Sequence, residues 1–89
     1  MIRITTQALS THTVVTIDGW AEDLDLKEIQ RVRRALKGKV LLNLRGLDGC
    51  VPEGIRILQD WVDAGGQLEA TTPYLDMMLK AAKPKRPAH

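Results

Sequence analysis

The thiol of Cys50 and the imidazoles of His12 and His89 are the first candidates for nucleophilic chemistry in this 89-residue chain. A nucleophilic thiol needs a base beside it, yet neither His12 nor His89 is a sequence neighbour of Cys50. Cys50 lies just before a predicted helix, whose N-terminus lowers the pKa of a thiol, although a small buried cysteine is the commoner case. We therefore expect a structural role for Cys50, and a small enzyme that uses this thiol is a remote alternative.

An acidic cluster is the second group with chemical potential, and it comprises Asp18, Glu22, Asp23 and Asp25. Its spacing does not fit a calcium loop built from oxygen ligands, whereas helix capping accounts for Asp25 and solvation for the others. The sequence also lacks the motifs of dinucleotide-binding proteins, phosphate loops, serine hydrolases and zinc proteases. We predict no catalytic residue, no metal site and no cofactor, which favours a binding or regulatory module.

The junction between a buried strand and an amphipathic helix carries the candidate binding residues. The segment VLLNL at positions 40–44 is nearly continuous in apolar residues, as in strands buried on both faces. Residues 45–49 are predicted to turn the chain, and Pro52 suits the first position of the helix that follows. Sites of open α/β sheets lie beyond the carboxyl ends of parallel strands. The predicted partner-binding surface therefore consists of Asp48, Val51, Pro52, Glu53, Arg56, Ile57 and Asp60.

The helical wheel of this second helix separates apolar from polar residues. Gln59 falls on the polar arc with the charged residues, Leu58 falls on the apolar arc, and Ile57 lies at the border between them. Ile57 is therefore interpreted either as a contact for a partner or as an ordinary residue at the edge of the core. Leu42 and Leu58 are expected to be fully buried.

The remaining elements supply the framework that positions these residues. Strands are predicted near residues 2–5 and 13–17 from alternating and β-branched residues, and at 67–71 mainly from position. A capping box of Asp25 and Glu28 is predicted to start the first helix, and Thr72 is predicted to cap the third. The order β-β-α-β-α-β-α implies an α/β fold with a mostly parallel four-stranded sheet packed against helices.

The charge of +2 is concentrated at the C-terminus, where the last ten residues hold four basic residues and no acid. We interpret residues 81–89 as a basic, disordered tail after a single domain at 1–80. Because the domain has no basic face, no binding of nucleic acid is predicted. The sequence shows no secretory signal and no apolar run of about 18 residues. We therefore expect a cytoplasmic protein that does not insert into a membrane.

The segment around the candidate surface resembles the STAS domain (sulfate transporter and anti-sigma factor antagonist). The resemblance is carried by VLLNLRGL at positions 40–47, GIRIL at 54–58 and DAGGQL at 63–68, and VTIDG at 15–19 is similar to the family's second strand. It covers positions 1 to about 80. Family members commonly place Asp-Ser-Ser-Gly where this chain has VPEG at 51–54, so Glu53 stands at the position of the phosphorylated hydroxyl.

The resemblance implies a STAS-like, non-catalytic module that acts by contact with a protein, as anti-sigma factor antagonists and related signalling adaptors do. The implied partner is an anti-sigma factor or kinase-like protein, and the alternative is a role as accessory subunit of an ABC-type lipid or anion transporter. Glu53 is interpreted either as a carboxylate stabilised by the helix dipole or as a partial mimic of phosphate, with one charge instead of nearly two. Homo-oligomerisation is left open.

Overall fold

The computed structural model of the chain describes residues 1–82, and five strands form one mixed sheet in it. The strands are β1 (Ile2–Ala8), β2 (Thr13–Ala21), β3 (Val40–Asn43), β4 (Leu47–Cys50) and β5 (Gln67–Ala70). β1 pairs antiparallel with β2, whereas parallel pairings join β2 to β3, β2 to β4 and β3 to β5. β3 and β4 follow one another along the same edge of β2, since residues 13–16 pair with β3 and residues 19–21 with β4.

The fourth strand corrects the prediction that residues 45–49 only turn the chain. The turn is confined to the three residues between β3 and β4, where Gly19 donates its backbone N–H to the carbonyl oxygen of Gly46 at 2.9 Å. Asp48 and Gly49 are typical turn residues, but pairing with β2 satisfies the backbone here and Leu47 is buried. The sheet therefore has five strands instead of the predicted four.

Three helices cover one face of this sheet. They are α1 (Leu26–Ala35), α2 (Pro52–Asp63) and α3 (Pro73–Ala82). The connections β2–α1–β3 and β3–β4–α2–β5 both step across the sheet in the same direction, and right-handed crossovers then place α1 and α2 on the same side. The core lies between the two layers, and the prediction that Leu42 and Leu58 are fully buried is confirmed.

The opposite face of the sheet is only partly shielded. Leu41 and Asn43 of β3 alternate with fully buried neighbours and are themselves half-buried. Val14 and Thr16 lie beside them in register on β2 and are also half-buried. The expectation that β3 is buried on both faces is therefore wrong. Helices α1 and α2 pack on one side of the sheet. Within residues 1–82, β3 therefore has neighbouring strands on both edges but helices on one face only, and the apolar Leu41 lies on the other face.

The start of α1 differs from the predicted capping box. A 3₁₀ turn, Asp23–Asp25, follows β2 and leads into α1. The backbone N–H groups that need a capping acceptor therefore begin at Glu22, one turn before the predicted start at Asp25. The carboxylate of Asp25 accepts the backbone N–H of Glu22 at 2.9 Å, and this hydrogen bond lowers the pKa of Asp25. Glu28, the predicted partner of Asp25, instead forms an ion pair with Arg31 on the outer face of α1.

Both predicted ends of α2 and the predicted start of α3 are confirmed. Pro52 occupies the first turn of α2, and Gly65 follows the helix in a left-handed conformation with φ of +121°. The hydroxyl of Thr72 accepts the backbone N–H of Leu75 at 3.1 Å at the start of α3. Residues 81 and 82 of the predicted tail belong to α3, and positions 83–89 lie outside the described residues. Within residues 1–82, no helix is long and apolar enough to cross a membrane.

Candidate interaction surface

The first turn of α2 is attached directly to the ends of β2 and β4. The backbone N–H of Val51 donates to the carbonyl oxygen of Ala21 at 3.0 Å, which extends the pairing of the two strands by one residue. The carbonyl oxygen of Val51 in turn accepts the N–H groups of Gly54 and Ile55. Pro52 lacks an N–H group and loses nothing at this position. The helix therefore starts at the carboxyl end of two parallel strands, as predicted.

Close packing at Gly54 sets how deeply α2 sits on the sheet. A Cβ atom at this position would lie 2.2 Å from Sγ of Cys50 and 3.0 Å from Cδ2 of Leu26. The first distance is far below any normal van der Waals contact, so a side chain larger than hydrogen does not fit here without movement. Gly54 thus lets α2 approach β4 and α1 at once, and this approach fixes the direction of the exposed side chains on its first turn.

Cys50 lies beneath this helix and is 5% exposed. Its burial, with a smaller contribution from the charge of Asp25, raises the pKa of the thiol to about 11. The thiol is therefore protonated at neutral pH, whereas the thiolate is the nucleophilic form. His12 stands before the opposite end of the nine-residue strand β2, roughly 25–30 Å away. Among residues 1–82 there is also no cluster of side chains that could hold a metal ion.

Five of the seven predicted surface residues are exposed. Asp48, Pro52, Glu53, Arg56 and Asp60 face solvent, and Val51 is half-buried. The carboxylate of Glu53 lies 3.6 Å from the guanidinium of Arg56, and both side chains remain more than 60% exposed. Glu53 is therefore a first-turn carboxylate with one cationic neighbour, an arrangement compatible with both interpretations given above.

Ile57 is placed differently from the other predicted surface residues. It is 8% exposed and belongs to the hydrophobic core. Of its two interpretations, this burial favours a residue at the edge of the core over a contact for a partner. The helical wheel placed Gln59 on the polar side of α2, but this residue is only 5% exposed. Its side-chain amide donates to the carbonyl oxygen of Leu79 at 2.8 Å.

Two exposed apolar residues at the same end of the sheet were missed by the sequence reasoning. Trp20 is 49% exposed, and Leu24, in the 3₁₀ turn that follows β2, is 91% exposed. The indole ring of Trp20 covers Gly49, where an added Cβ atom would lie 3.2 Å from the ring. The period-two pattern of β2 could have placed Trp20 on the face opposite the core. Its position over Gly49 depends on the pairing of β2 with β4, which was not predicted.

This end of the molecule combines exposed charges with exposed apolar groups, a combination suited to binding another surface. The one thiol in it is buried and protonated, and the described part of the chain places no histidine next to it. Comparison of the chain with protein-family models and with curated proteins gives no match in either case.

Proposed function

We propose that this chain is a non-catalytic regulatory module that binds another protein through the end of the sheet where α2 starts. In this proposal it acts as anti-sigma factor antagonists and related signalling adaptors of the STAS family do, and its mixed sheet represents the STAS arrangement. The sequence resemblance over positions 40–68 supports the proposal, as does the start of α2 beyond the carboxyl ends of β2 and β4.

The observation that carries the proposal is the exposure of Trp20 and Leu24 at the end of the sheet where α2 starts with an exposed, charged first turn. Tryptophan is among the residues most enriched in the energetic centres of protein interfaces. Burying a largely exposed leucine side chain contributes about 1.5–3 kcal/mol in favourable cases. The flanking charges of Asp48, Glu53 and Arg56 would set orientation and association rate more than affinity.

The test is a charge exchange on α2 with a matched exchange on α1. The double variant Glu53→Arg/Arg56→Glu keeps the net charge and the (i, i+3) pair but reverses the local field. The pair of Glu28 and Arg31 on α1 has the same spacing and is also exposed, so Glu28→Arg/Arg31→Glu is the control. Each variant, the wild type and Trp20→Ser would be used to capture proteins from an extract of the source cell, with quantitative mass spectrometry.

We expect one protein to be captured by the wild type and the α1 exchange, and to be lost with the α2 exchange and Trp20→Ser. Thermal midpoints should stay close to that of the wild type, because surface charge changes seldom alter stability by more than about 0.5 kcal/mol. An anti-sigma factor or kinase-like protein would support the signalling role, whereas a permease or ATPase would favour the transporter subunit. Equal capture by both charge exchanges would rule out this surface.

A further inference from the structure

A small cavity lies at the other end of α2, between this helix, β5 and α3. Its volume is about 140 Å³, and its walls are formed mainly by the apolar side chains of Val62, Leu68 and Leu79. It borders the last turn of α2, whereas Glu53 lies in the first turn, so the helix of twelve residues separates the two places by roughly 15 Å. A dry apolar cavity of comparable volume in another protein accommodates benzene.

Gln59 lines this cavity and is the buried polar residue of the core. Its Nε2 donates a hydrogen bond of 2.8 Å to the carbonyl oxygen of Leu79. A carbonyl oxygen only accepts, so the NH₂ group of Gln59 must face α3 and Oε1 must point elsewhere. No donor among the described residues bonds to this Oε1. Gln59 is 95% buried and lines the cavity, and its Oε1, which is not fully buried, is free to accept a hydrogen bond from a bound molecule.

The rim of the cavity carries an excess of negative charge. Asp76 and Lys80 of α3 form an ion pair of 3.2 Å, whereas Asp63 has no ion-pair partner among the described residues. Asp63 is also the last residue of α2, where the exposed carbonyl groups add the negative end of the helix dipole. The rim thus carries one carboxylate in excess of neutrality and favours a cation.

We propose that this cavity binds a small primary amine whose apolar part is no larger than a phenyl ring. The ammonium group would donate to Oε1 of Gln59 and face the carboxylate of Asp63, while the apolar part would contact Val62, Leu68 and Leu79. This ligand site is separate from the interaction surface at the start of α2 and does not depend on it.

Benzylamine is the probe, because it joins a phenyl ring to an ammonium group. It would be titrated into the full chain at pH 7 and followed by ¹H–¹⁵N correlation spectra, with benzyl alcohol and benzoate as neutral and anionic analogues of similar size. We expect saturable binding with millimolar affinity, and shifts centred on residues around the cavity. Benzyl alcohol should bind more weakly than benzylamine, and benzoate should show no saturable binding.

Two substitutions each replace one carboxylate by the corresponding amide, one at the rim of the cavity and one away from it. Asp63→Asn should weaken benzylamine binding about two- to fivefold, the range for an exposed ion pair. Glu69→Gln removes an exposed carboxylate from β5 that does not line the cavity, and it should leave the affinity unchanged. Leu68→Trp should fill the cavity and abolish binding, and its spectrum shows independently whether the variant is folded.

The proposal is overturned by any of three results: no saturable shift with benzylamine, benzoate binding as tightly as the amine, or equal weakening by Asp63→Asn and Glu69→Gln. The third result would show that net charge alone attracts the probe. Unchanged affinity in a folded Leu68→Trp variant would place the amine elsewhere and would equally overturn it.

Discussion

Gly54→Ala tests whether the contact between α2 and β4 is as tight as its geometry indicates. In an ordinary helix this substitution stabilises, because alanine has the higher helix propensity by about 1 kcal/mol. Here the new methyl group would lie 2.2 Å from Sγ of Cys50. The buried thiol must then rotate or the helix must move away. The substitution therefore combines a gain in helix propensity with a steric clash against Sγ of Cys50.

The size of the effect follows from these two contributions. Overpacking a dense core costs about 1–3 kcal/mol, so Gly54→Ala should lower the free energy of unfolding by up to about 2 kcal/mol. Cys50→Ala removes Sγ and leaves the Cβ atom of residue 50 at 3.9 Å, which is an ordinary contact. The remaining neighbour, Cδ2 of Leu26 at 3.0 Å, is the end of a flexible side chain. With Cys50→Ala present, Gly54→Ala should therefore be neutral or stabilising by up to about 1 kcal/mol.

Urea unfolding of the wild type, both single variants and the double variant gives the coupling free energy. The fluorescence of Trp61, which is 5% exposed, should report the loss of the core. We expect a coupling of about 1–3 kcal/mol, since the clash exists only when both Sγ and the new methyl group are present. A coupling below about 0.5 kcal/mol would contradict the tight packing of α2 on β4. A changed slope against urea would show instead that the unfolded state had been altered.

Two further predictions concern the same core. Leu42→Ala and Leu58→Ala should each lower the free energy of unfolding by about 2–5 kcal/mol, because both side chains are fully buried, and a loss under about 1 kcal/mol for both would contradict the assigned core. Iodoacetamide should modify Cys50 at pH 8 at least about a hundredfold more slowly than an ordinary thiol, since its pKa is raised from 9.0 to about 11. Stability should also fall above pH 9, where the unfolded thiol ionises while the folded one stays protonated, and this part of the fall should be absent in Cys50→Ala.

Local chemistry explains what the sequence predicted correctly. Pro52 and Thr72 each mark a helix start through properties of the residue itself, a fixed φ angle in one case and a hydroxyl acceptor in the other. Gly65 marks a helix end because glycine adopts positive φ at low cost. The position of the candidate surface followed from these boundaries together with the rule for parallel strands.

Non-local contacts explain what the sequence did not predict. Residues Asp48 and Gly49 favour a turn by composition, and only the free edge of β2 beyond β3 turns their segment into a strand. The carboxylate of Asp25 accepts the backbone N–H of Glu22 instead of that of Glu28, because β2 is followed by a 3₁₀ turn. No periodicity in the sequence indicates this turn. The residue type indicates which local structure is preferred, whereas the tertiary structure determines which hydrogen-bond partners lie close enough to be used.

Gln59 shows how such a contact narrows the candidate surface. A helical wheel assumes one covered side, but α2 contacts α3 as well as the sheet, and α3 buries Gln59. After Pro52, the exposed side of α2 is thereby reduced to a stripe of charged residues at Glu53, Arg56, Asp60 and Asp63. Charged residues at the rim of an interface change affinity little. A partner that binds tightly here, as proposed, would therefore need apolar contact from outside the helix, and Trp20 and Leu24 are exposed apolar residues at this end of the sheet.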